Sequence, residues 1–141
     1  MIILDTNVIS EPTKSAGNPA VLAWLDRQVA ETLFLTSINL AELLAGVARV
    51  PEGKRKHGLA SGLDALLDTL FGARILAFDA NAARAYATIS QHAARGGFAI
   101  GMADAQIAAI ASVHDFTVAT RDVAPFVAAG LRVIDPWNPS D

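Results

Sequence analysis

The 141-residue chain contains no cysteine, which removes disulfides, thiolate metal sites and a cysteine nucleophile together. Histidine is scarce as well. His57 lies in a basic stretch, while His92 and His114 fall near expected helix ends, where dipole and surface roles are ordinary. Neither an imidazole-rich zinc site nor a serine-histidine triad is supported. No apolar run approaches the ~20 residues that span a bilayer, and Met1 leads directly into a strand-like segment rather than a secretory leader. The expected location is the cytoplasm. Positive charge is also limited: 11 Lys and Arg against 14 Asp and Glu give a formal net charge of -3. That balance argues mildly against a broad basic surface for nucleic acid, so a nuclease here would rely on metal and local patches. The densest basic stretch, Lys54 to His57 with Arg49 before it, reads as a solvated loop or a local phosphate contact.

What is present is apolar substance, 52% of the residues, enough for one compact domain over residues 1–141. Ile2 to Leu4 reads as a buried strand with Asp5 at its carboxyl end. A helix is expected over Ala20 to Val29 after Pro19, then a strand from Thr32 to Thr36. Ser37 is the expected cap of a helix with Leu40, Leu43, Leu44 and Val47 on one stripe. After the turn-rich segment Pro51 to Gly58, leucines 59, 63, 66, 67 and 70 recur at helical spacing. Arg74 to Phe78 reads as a strand, Asp79 as a cap, and Ala80 to Arg95 as a helix closed by Gly96-Gly97. A nearly all-apolar helix over Met102 to Val113, a strand over Phe116 to Thr120, a short helix over Val123 to Ala129 and a last strand over Leu131 to Ile134 complete the order. Strands alternating with helices predict a three-layer α/β/α sandwich around a mainly parallel sheet.

In such sheets ligand sites form at the carboxyl ends of strands, where Asp5 and Asp122 both fall. Each has an ordinary alternative as a helix cap. Asp104 stands among Gly101, Met102, Ala103, Ile107 and Ala108, where an unpaired charge is expensive, although a first-turn carboxylate also favours a helix dipole. Glu42 shares a polar stripe with Asn39, Gly46 and Arg49, and a solvated face is the ordinary reading there. Acids brought close together repel, so a cluster of them calls for cations or shifted pKa values. An all-oxygen donor set suits magnesium or manganese rather than zinc.

Taken in order, Leu4-Asp5-Thr6-Asn7-Val8, Glu42 on a helix, Asp104-Ala105-Gln106-Ile107-Ala108 and Thr120-Arg121-Asp122 resemble the PIN-domain family, and VapC-type toxins within it. The resemblance spans essentially the whole chain. It implies a PIN-like fold and a magnesium- or manganese-dependent endoribonuclease, with catalytic and metal-binding roles for Asp5, Glu42, Asp104 and Asp122. Thr6, Asn7 and Thr120 would be supporting polar residues. It further implies an RNA substrate, a cognate antitoxin partner and a homodimer, with the helix from Leu59 to Leu70 as a candidate contact surface. Many relatives carry a further acid shortly after the position of Asp122, whereas Pro125-Phe126 follows here. Two other classes compete. An aspartyl-phosphate phosphatase would use Asp5 as nucleophile, but Asn7 occupies the position of its usual second acid. A non-catalytic interaction domain of the same fold would be expected to have lost one of the four acids.

Overall fold

The computed structural model describes residues 1–140. Its centre is a five-stranded sheet with the order β3-β2-β1-β4-β5, in which every paired neighbour is parallel. The strands are β1 (Ile2–Leu4), β2 (Leu33–Thr36), β3 (Ile75–Leu76), β4 (Thr117–Ala119) and β5 (Val133–Ile134). Helices are α1 (Thr6–Ser10), α2 (Pro19–Asp26), α3 (Ser37–Ala48), α4 (Lys54–Leu66, prolonged by a wide turn through Phe71), α5 (Ala80–Arg95), α6 (Met102–His114) and α7 (Val123–Ala128). The expected α/β/α sandwich is the observed one.

Alternation along the strands divides the core into two layers, because successive side chains leave a strand on opposite faces. Ile3 and Val118 join Ile107, Ile110 and Phe126 on one face. Leu4 and Ala119 join Val8, Val21, Trp24 and Phe71 on the other. Alanines 82, 93, 105, 108, 109 and 111 are buried, and these small side chains let α5 and α6 lie close together against the sheet. The chain runs from β1 outward through β2 to β3, then crosses to the opposite side of β1 for β4 and β5. The strand order therefore reverses at the β1–β4 boundary, the position at which a crevice opens above the strand ends.

Several local expectations are corrected. The cap of α3 is Thr36, whose side chain accepts from Asn39 N–H, and Ser37 is the first helical residue. Lys54 to His57 is the first turn of α4 rather than a loop, entered through Gly53 at φ 151°, a backbone conformation suited to glycine. The third strand keeps only Ile75–Leu76 of the expected five residues. Helix α1 has no counterpart among the expected elements. No helix among the described residues is long and apolar enough to cross a membrane.

Candidate active site

Parallel pairing of β1 with β4 sets Leu4 opposite Ala119, so Asp5 and Thr120 leave the sheet side by side. Asp5 is only 6% exposed, yet its carboxylate is well supplied with donors. Oδ1 accepts from Thr6 N–H at 2.8 Å and Asn39 Nδ2 at 3.0 Å, and Oδ2 accepts from the Thr120 hydroxyl at 2.7 Å. Burial raises its pKa; the bonds from Thr120, Thr6 and Asn39 pull the other way, and the charge of Asp122 raises it further. Asp5 does cap α1, but capping accounts for one of three donors.

The Thr120 hydroxyl is committed on every side. It accepts from Asp122 N–H at 3.0 Å and from Asn7 Nδ2 at 3.4 Å, and its proton goes to Asp5. Asn7 in turn accepts Arg121 N–H at 3.2 Å. The loop that carries Asp122 is thereby tied to the turn that carries Asp5. Asp122 occupies the cap position of α7 but makes no capping bond, so the ordinary explanation for that acid fails.

Asp104 lies in the first turn of α6, where no side chain caps the helix. Its carboxyl pKa is pushed up to about 6, first by burial and then by the negative charges of Asp5, Asp122 and Glu42. A helix dipole alone would favour the charged form; here burial and three neighbouring acids outweigh it. Glu42, on the exposed side of α3, accepts the Thr6 hydroxyl at 3.0 Å. Asp104 is thus acted on by the three other acids named from the sequence, and Asp5 by Asp122, although among the described residues no three His, Cys, Asp or Glu side chains are grouped closely enough to hold a metal ion. Glu11 is a further buried acid, but its Oε1 accepts Asn18 N–H at 2.9 Å and its Oε2 pairs with Lys14 at 2.9 Å. It fixes the loop before α2, and Lys14 holds its pKa down.

Asn39 was not singled out from the sequence. Helical spacing assigns it to a polar stripe, whereas it is wholly buried and bonded to both Asp5 and Thr6. The signal was present: Thr36 followed three residues later by Asn39 is a reciprocal capping pattern, which turns the asparagine inward. Among the basic residues, Arg121 stacks over the Trp137 ring at 5.2 Å, next to Asp122. Lys56 is engaged by Glu52 at 2.7 Å. A groove of about 1180 Å³ runs from Thr6 and Glu42 between α3 and α4, over Leu43, Val47, Leu59 and Leu63, with Arg49 and Arg55 along it.

The family model for the PIN domain matches residues 2–130. The chain belongs to the PIN-domain family. It is 49% identical to the VapC ribonuclease Y4jK of Sinorhizobium fredii, over 99% of this chain and 100% of that protein. It is 46% identical to toxin FitB of Neisseria gonorrhoeae, over 98% and 99%. Among solved structures, the FitAcB crystal structure from Neisseria gonorrhoeae superposes with a TM-score of 0.94 at 46% identity, covering 98% of this chain and 99% of that one. VapBC-5 of Mycobacterium tuberculosis, described as a member of the VapBC family of toxin-antitoxin systems, matches with a TM-score of 0.69 at 27% identity, over 94% and 95%. In this PIN domain Asp5 and Asp122 follow β1 and β4, the strands between which the strand order reverses.

Proposed function

We propose that this PIN domain is a magnesium- or manganese-dependent endoribonuclease, the toxin of a toxin-antitoxin pair, acting in the cytoplasm as one domain over residues 1–141. The observation that carries the reading is the state of Asp104: burial and the fields of Asp5, Asp122 and Glu42 lift its pKa to about 6. Acids from three other segments repel the charged form of Asp104, and a cation drawn in among them relieves that repulsion. The donors are all oxygens, which fits a hard divalent ion. Asp5, Glu42, Asp104 and Asp122 would hold it. Bound there, such an ion offsets phosphodiester charge, lowers the pKa of an adjacent water and stabilises a departing 3′-oxygen. The chain's own contribution is orientation. Thr120 and Asn7 hold Asp122 beside Asp5, Thr6 holds Glu42, and the Asp5 carboxylate is kept in one rotamer by three donors. The names of the VapC ribonuclease and the FitB toxin support the assignment of substrate and role.

Incubating the purified protein with total RNA and sequencing the new ends tests the reading: discrete new ends are expected with magnesium or manganese and none with chelator. A phosphatase using Asp5 is disfavoured because Asn7 stands where its usual second acid would be, and with its amide spent on Thr120 and its carbonyl on Arg121 N–H it has no proton to transfer to a leaving group.

Arg121 is the proposed phosphate contact flanking the cut, held at its post by Trp137. Arg121→Ala is expected to raise the apparent KM for RNA several-fold and to flatten its salt dependence, with manganese affinity unchanged. Equal KM and salt slope in wild type and variant would remove Arg121 from the substrate path. The groove between α3 and α4 is the proposed antitoxin seat, consistent with the partly buried leucines of α4 that it exposes. The chain is also proposed to form a homodimer.

A further inference from the structure

Asn39 is saturated on all four of its side-chain bonding positions, and the partners leave only one orientation of its amide. Its Oδ1 accepts the Thr36 hydroxyl at 2.6 Å and Thr36 N–H at 3.4 Å. The backbone N–H can only donate, so the oxygen must face Thr36 and the NH₂ must face the acids. The two amide protons go to Asp5 Oδ1 at 3.0 Å and Thr6 Oγ1 at 3.1 Å. Two consequences follow from counting. Asp5 Oδ1, already accepting Thr6 N–H, has both lone pairs occupied, whereas Oδ2 accepts only Thr120 and keeps one free. Thr6, having accepted a hydrogen bond from the Asn39 amide, donates its own hydroxyl hydrogen to Glu42.

We propose that Asn39 is a positioning residue for the reaction: its amide closes Asp5 Oδ1, leaves Oδ2 as the oxygen offered to a cation, and through Thr6 orients Glu42 as an acceptor. The inference rests on the metal-dependent reading above and adds to it a residue outside the four acids. Groups at this remove orient ligands and tune them, and their loss weakens metal binding by about 10- to 100-fold. Burial sharpens the case. The Thr36–Asn39 bonds alone would complete the helix cap, so the contacts to Asp5 and Thr6 are additional to what the fold of α3 requires.

The test is calorimetric titration of the metal-free protein with manganese, well below the melting temperature, for wild type, Asn39→Ser, Thr6→Val and the double variant. Serine is too short to reach Asp5 yet leaves a hydroxyl beneath Thr36. Asn39→Ser is expected to weaken manganese binding by about 10- to 100-fold, Thr6→Val by less, and the double variant no more than Asn39→Ser alone. A lowered melting temperature with unchanged manganese affinity in Asn39→Ser would overturn the proposal, as would full additivity of the two losses. Should Asn39→Ser fail to fold, wild type decides by NMR: the Asn39 side-chain amide signals should stay slow to exchange and shift on magnesium addition, and signals indifferent to magnesium would contradict the role. A wild type that binds no manganese is a separate outcome, which overturns the metal reading itself.

Discussion

Asp104→Asn is expected to fold normally and to lose RNA cleavage by at least about a hundredfold, the loss that removing one preorganised electrostatic group brings. The side chain is half-buried in the first turn of α6 and makes no capping bond, so an amide of the same size disturbs little packing. Asp5→Asn should abolish cleavage as well, but it is the less clean variant. Its new NH₂ would have to face either the Thr6 and Asn39 donors or a Thr120 hydroxyl that already accepts twice. A buried clash of donors costs about 1 to 3 kcal/mol, so a melt should accompany that assay. Asp104→Asn retaining wild-type metal-dependent rates would remove the acid from the machinery.

The second large effect is on stability, and its sign is diagnostic. Without metal, Asp104 has a raised folded-state pKa of about 6. The folded state therefore binds its proton more tightly than the unfolded chain does, and this stabilisation is full at low pH and lost as pH rises through 6. Metal-free protein should melt higher near pH 5 than near pH 7.5, provided other groups are compared through Asp104→Asn, in which this part of the difference disappears. Above pH 7 the substitution should itself raise the melting temperature in chelator by relieving repulsion. Metal acts in the opposite sense. At about a hundred times its dissociation constant one ion contributes about 2.7 kcal/mol, a rise of roughly 10 °C for a chain of this size. Asp104→Asn should shrink that rise. Were the acid only a favourable charge at a helix start, its loss would lower metal-free stability by about 0.3 to 1 kcal/mol and leave the response to metal unchanged. Melts of both proteins with chelator and with magnesium separate the two.

The layered fold was legible because alternating apolar runs and caps carry it. Asp79 caps α5 as expected, and α5 runs from Ala80 to Arg95. The elements that escaped are those held by tertiary contacts instead of periodicity. Helix α1 has five residues, Thr-Asn-Val-Ile-Ser, too short and too β-branched to announce itself. It exists because Asp5 caps it and Val8 and Ile9 are buried. Among the acids, Asp5 and Asp122 were legible at strand ends and Asp104 as a charge among apolar neighbours, whereas Glu42, in the middle of α3, was legible only through the resemblance to the PIN family. Asn39 was not, because amphipathic spacing assigns a polar residue to solvent, and only the capping pair with Thr36 turns it inward. The basic segment at Lys54 departs from expectation for a related reason: Pro51 and Gly53 signal a turn, but the chain resumes as helix at Lys54.

The most direct test of the central claim is the chemistry of the RNA ends left by the purified protein on a synthetic single strand, read by mass spectrometry. Attack by water with departure of the 3′-oxygen leaves 5′-phosphate and 3′-hydroxyl ends, whereas attack by the neighbouring 2′-hydroxyl leaves a 2′,3′-cyclic phosphate. The account predicts 5′-phosphate and 3′-hydroxyl ends that appear only with magnesium or manganese and vanish in Asp104→Asn. Cyclic phosphate ends, or cleavage that persists in chelator, would contradict it.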